Sequence, residues 1–131
     1  MAKKDLPDSG ERVQYPTGAV REPQSGKGRF DLISPIALMR LAQHYEAGAA
    51  KYGGANMRRG IPLSRFFDSA VRHLVRYASG DRTEDHLAAA LWNVAEFIHT
   101  EARVAQGELP KDLNDLEAIS KGEAPARTEV A

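Results

Sequence analysis

Between residues 35 and 104 apolar side chains return at helical spacing in three successive stretches. In the first, Leu38, Leu41, Ala42, Tyr45, Ala49 and Tyr52 share one face, Ser34 is an N-cap with Pro35 at the first helical position, and Gly53-Gly54 ends the run. A polar connection holding Asn56, Arg58, Arg59 and Gly60 leads to Pro62. The second helix begins near Ser64 and collects Phe66, Phe67, Ala70, Val71, Leu74, Val75 and Ala78 on one side, with Arg65, Asp68, Ser69, Arg72, Arg76 and Ser79 opposite and Gly80 as its stop. The third is expected from a Thr83 cap to about Val104. Its stripe of Leu87, Leu91, Val94 and Ile98 is widened by Ala90 and Phe97 round most of the circumference. A helix of that kind needs cover on nearly every side, which three helices do not provide, so a second copy is expected to complete the bundle as a dimer or tetramer.

The flanks carry no such period. Residues 1–17 are polar and broken by Pro7, Gly10 and Pro16, the pattern of a disordered tail. Residues 18–34 form an extended N-terminal arm, in which the string RFDLI sends Lys27, Arg29 and Asp31 one way and Phe30 and Leu32 the other, onto the helical core. After the core of residues 35–106, residues 107–131 supply a short helix from about Pro110 and a second disordered tail. The fold class that follows is all-α: a small helical bundle of three main helices with an extended arm and a short C-terminal helix, completed by oligomerisation.

Composition narrows the function. Eighteen basic residues balance eighteen acidic ones, which removes the charge surplus that nonspecific nucleic-acid binding uses. With no cysteine, disulfides, cysteine-zinc centres and thiol catalysis are excluded. No stretch is apolar enough to span a bilayer and the first residues have no hydrophobic signal region, so a cytoplasmic location is expected.

On the third helix Asp85, His86, Asn93 and Glu96 occupy the strip that the apolar residues leave. A buried polar group left unpaired costs roughly 1–3 kcal/mol, so the strip lines a wet cleft or meets partners. Glu84 and Asp85 also suit the positive start of a helix, and Asp68 with Arg72 at i+4 also suits a surface ion pair. His73 lies at the boundary of its apolar face, where a lone histidine is more often a packing residue than a ligand. Glu46 sits between Ala42 and Ala49, with room beside it. Magnesium needs only a few carboxylates plus substrate phosphates, and Glu46, Asp68 and Asp85 offer one acid per helix. Lys27, Arg29, Lys51 and Arg72 are the matching phosphate partners, while Arg58 and Arg59 read as a solvated loop pair. The glycines at 26 and 28 lack the P-loop spacing, and His44, His73, His86 and His99 lack the HExxH spacing of a zinc hydrolase.

Four strings in order, GAVREPQSGKGRFDLI, YEAGAAKYG with Asn56, DSAVRHLVRY and GDRTEDHLAAALWN, resemble the phage-borne dATP/dGTP diphosphohydrolases, a branch of the all-α MazG-like nucleoside triphosphate pyrophosphohydrolases. The resemblance covers roughly residues 18–100. It implies an oligomeric helical bundle that uses magnesium or manganese to cleave a purine deoxynucleoside triphosphate, dATP or dGTP, to monophosphate and pyrophosphate in the cytoplasm of a bacterial host. MazG-like chains carry ExxE and ExxD pairs. Here Glu46 has Gln43 and Ala49 at those offsets and Asp85 has Ala88, so Glu84 replaces a missing acid. The expected site is thus Glu46, Asp85 and Glu84 for catalysis and Glu46, Asp68 and Asp85 for metal. Lys27, Arg29, Asp31, Lys51, Asn56, Arg72, His73, His86 and Asn93 are expected to meet substrate; Trp92 or Tyr52 could stack on a purine, but large aromatics at helical spacing usually belong to the core. The alternative is a noncatalytic oligomeric helical protein that binds a protein partner or nucleic acid.

Overall fold

The computed structural model describes residues 6–123 and residue 129. The chain divides into an N-terminal unit ending at Ile33 and a helical unit beginning at Ser34. In the first, strands β1 (Val13–Gln14) and β2 (Val20–Arg21) pair antiparallel, with Val13 opposite Arg21 and Gln14 opposite Val20. Where residues 1–17 are expected to lack any element, β1 is therefore formed; the expected tail's first five residues lie outside the described residues. Phe30–Leu32 is a 3-10 turn, not the extended chain expected of RFDLI. Backbone bonds from Leu32 to Arg29 and from Ile33 to Phe30 close it, and the Arg29 guanidinium bridges both Asp31 oxygens at 2.8–2.9 Å across the turn.

The helical unit contains α1 (Pro35–Tyr52), α2 (Leu63–Ala78), α3 (His86–Ala105) and α4 (Leu116–Ser120), with 3-10 turns at Asn56–Arg59 and Lys111–Leu113. This is a small all-α bundle. Ser34 Oγ accepts from the Ala37 amide and Pro35 starts α1, while Gly53 takes φ +90° and closes it against the Ala49 carbonyl. At α3 the cap is Asp85, whose carboxylate accepts from the Ala88 amide. Thr83, the expected cap, gives its amide and hydroxyl to Asp81 instead, so α3 starts later than its threonine suggests. The start of α2 is capped from a distance: Asp115 accepts from the Ser64 amide at 2.9 Å and from its hydroxyl at 2.5 Å.

α3 packs chiefly against α2 and also against α1. Leu63, Phe66, Ala70, Ala88, Ala89 and Ala90 are buried, and Trp92 joins Phe66, Tyr45 and His44 in an aromatic cluster with centroids 5.7–6.2 Å apart. The side of α3 that faces inward carries the polar strip expected to line a cleft or meet partners. Asn93, Glu96 and Thr100 are buried, whereas Leu87, Leu91, Val94 and Ile98 are exposed, Ile98 by 63%. Alanines on the inner side let the helices approach closely, and the polar groups beside them find partners there. Phe67, Val71, Leu74 and Val75 of α2 are likewise exposed rather than core, and with Val94 and Ile98 the first three line a shallow apolar groove. Among the described residues no helix is long and apolar enough to cross a membrane.

Candidate functional site

A cleft of about 610 Å³ opens within the helical unit, walled by the second half of α1, the loop after it, the first half of α2 and the middle of α3. Its walls are mixed: Tyr52, Phe66 and Trp92 are flat and apolar, while Glu46, Asn56, Arg65, Ser69, His73 and Asn93 are polar. The sharp stop of α1 at Gly53 and the 3-10 turn of the next loop bring Asn56 and Met57 to the mouth. Asn93 spends one amide proton on the Ala89 carbonyl at 2.8 Å, which fixes the side chain and leaves its amide oxygen and second proton for a ligand.

Behind this wall lies a buried ionic network. Glu96, 1% exposed, accepts from the Tyr45 hydroxyl at 2.7 Å and from Arg58 Nε and Nη2 at 3.1 and 3.0 Å. Burial, reinforced by the bond to Glu96, pushes the Tyr45 phenol up to about 12. Arg58, expected to be merely solvated, is the cation that makes a carboxylate tolerable at that depth.

A second cluster sits where α2 meets the start of α3. His73 Nδ1 lies 2.9 Å from His86 Nδ1, so one ring donates and the other accepts. Glu84 Oε1 lies 3.5 Å from the first nitrogen and 3.9 Å from the second. These three side chains form a group able to hold a metal ion. His86 is buried, and its Nε2 has no hydrogen bond although Asp81 Oδ2 is 3.1 Å away, outside bonding geometry. The Thr83 hydroxyl and amide hold the Asp81 carboxyl down to about 2, and burial lowers His73.

The remaining expected site residues have varied settings. Of the three metal acids only Glu46 lines the cleft; Asp68 is exposed on α2, and Asp85 is both the α3 cap and the partner of Arg40, which holds its carboxyl near 2. Asn56, His73 and Asn93 line the cleft. Lys51 lies over the Tyr52 ring at 5.0 Å and Arg72 donates to Ser69 at 3.1 Å. In the N-terminal unit Arg29 is paired with Asp31 and Lys27 with Glu22 at 3.9 Å. Sequence reading missed Arg58, Arg65 and Asp81. For Asp81 a signal exists, since an aspartate two residues before a threonine is a common side-chain turn.

No curated protein and no solved structure matches the chain. The family model described as dATP/dGTP diphosphohydrolase, N-terminal, matches residues 17–109, more than half of the 131 residues, and the chain belongs to that family.

Proposed function

We propose that the chain hydrolyses a purine deoxynucleoside triphosphate to the monophosphate and pyrophosphate, with the nucleoside held in the cleft of the helical unit. The observation that carries this reading, beside the family, is the cleft's mixture of walls. Tyr52 and Trp92 offer apolar surface to a base, and Asn93, already fixed by Ala89, offers an acceptor and a donor to its edge. Arg65 brings positive charge to the same wall and Glu46 brings a carboxylate within it.

The family implies a divalent cation, and the oxygen donors on α1 and α2 suit magnesium, which keeps several waters and takes the rest of its shell from carboxylates and phosphates. Glu46, which lines the cleft, and Asp68, next in sequence to the cleft residue Ser69, are the acids we assign to it. When bound, such an ion draws charge from the phosphate oxygens and eases ionisation of water. Glu46 orients the attacking water and takes its proton, and Arg65 stabilises charge on the phosphate oxygens. Asp85, engaged by Arg40 and by the amide of Ala88, acts by positioning α3.

The test is incubation with each of the four deoxynucleoside triphosphates and magnesium, followed by separation of products. Monophosphate and pyrophosphate from the purine substrates are expected. Glu46→Gln should lower turnover by about 10²-fold or more with helical circular dichroism retained. Release of orthophosphate, or no product from any of the four, overturns the reading.

A further inference from the structure

We infer that His73, which lines the cleft, forms with His86 and Glu84 a binding site for a first-row transition-metal ion of the zinc, cobalt and nickel class. The three facing atoms make a triangle with sides of 2.9, 3.5 and 3.9 Å. The point equidistant from its corners lies about 2.0 Å from each, the length of a zinc–imidazole or zinc–carboxylate bond. The spacing of the three atoms already allows that distance, while the two rings, whose Nδ1 atoms now face each other, turn to aim their lone pairs at the ion. Two nitrogens 2.9 Å apart subtend close to a right angle at such a point, which suits an ion of five or six ligands and leaves positions for water. Imidazole is a poor ligand for magnesium and a good one for these ions, so the site and the carboxylates assigned to magnesium differ in chemistry.

Two features beyond the triangle point the same way. His86 is fully buried, and its far nitrogen stands unbonded 3.1 Å from the ionised Asp81 carboxylate. A ligating histidine turns its other N–H to a carboxylate, and Asp81, itself fixed by the Thr83 amide and hydroxyl, is placed to receive that N–H after a small rotation. Binding through both Nδ1 atoms requires each ring in the neutral Nε2–H form. The ring that now donates moves its proton from Nδ1 to Nε2 through solvent, and no net proton is released. The site also ties α2 to the turn before α3, so occupancy should stabilise the fold.

The experiment uses the full chain, freed of metal by chelator and without nucleotide, so its outcome is independent of hydrolysis. Cobalt is titrated and followed by visible absorption, with isothermal titration of zinc in parallel and magnesium in large excess as competitor. One equivalent of cobalt with visible bands, a rise in thermal midpoint and no displacement by magnesium are expected. His73→Gln and Glu84→Gln, at partly exposed positions, should keep helical dichroism and weaken zinc by at least about 100-fold and 10-fold respectively, and Asp81→Asn by about 10–100-fold. Absence of cobalt bands, or unchanged zinc affinity in folded His73→Gln, would show that the two histidines are only a hydrogen-bonded pair.

Discussion

At Glu96 a carboxylate is nearly out of contact with solvent, while the guanidinium opposite it remains 46% exposed. That inequality decides which half of the pair matters more for folding. Arg58→Met leaves Glu96 charged, buried and held by Tyr45 alone, which should cost about 2–3 kcal/mol. Glu96→Gln keeps an acceptor for Tyr45 and leaves an arginine that can hydrate, so it should cost clearly less. Urea unfolding of the two variants measures the order, and equal losses would mean that the network acts as a single unit. Tyr45 gives a second readout. Its phenol is raised from the ordinary value of 10 to about 12, so the folded state holds its proton where an unfolded chain has released it. Its contribution to stability is complete below pH 10 and is lost as pH climbs towards 12. The thermal midpoint of the parent should fall more steeply than that of Tyr45→Phe across that window, and parallel curves would contradict the assignment.

Among the elements, boundaries set by neighbouring residues were legible and those set by distant ones were not. Ser34, Pro35 and Gly53 mark α1 because the cap, the fixed φ and the left-handed stop all act within a turn. Thr83 misled because its hydroxyl had a nearer use on Asp81, leaving Asp85 to cap α3. The Asp115 cap of α2 is supplied from 51 residues away, and nothing beside Ser64 announces it. The site follows the same division. Glu46 and Asn93 could be chosen from helical phase, Asn56 and His73 only from the family resemblance, and all four line the cleft, whereas Arg58 looked idle since its partner is 38 residues distant. Asp85→Ala should lower stability by about 0.5–2 kcal/mol, the usual worth of a cap. Asp115→Ala removes the two carboxylate oxygens that accept from the Ser64 amide and hydroxyl and should cost about 1–3 kcal/mol. Hydrogen exchange should show the first loss at the start of α3 and the second at the start of α2. Uniform loss of protection in either variant would mean that the caps are not local.

For the whole molecule the decisive feature is the apolar surface that the helical unit leaves in water. Periodicity could show that α3 is apolar on two sides, but not which side the chain would bury for itself. The alanine side went inward, where small residues allow close helix approach and where Asn93 and Glu96 meet polar partners. The larger residues were left out: Leu87, Leu91, Val94 and Ile98 of α3, and Phe67, Val71, Leu74 and Val75 of α2. A groove of Phe67, Val71, Leu74, Val94 and Ile98 is the reverse of what a small monomeric domain keeps exposed. We propose that a second copy covers it, apolar stripe against apolar stripe about a twofold axis, each helix pair supplying what the other lacks. Burial of a Val or Leu side chain is worth about 1.5–3 kcal/mol, so several of them on each side suffice for association at micromolar concentration. Sedimentation or light scattering should give at least twice the 14.3 kDa of one chain. Val94→Asp with Ile98→Lys, both at exposed positions, should return the mass to that of one chain while leaving its helical dichroism in place. A parent of single-chain mass, or a double variant that still associates, would mean that the stripe serves something other than a copy of itself.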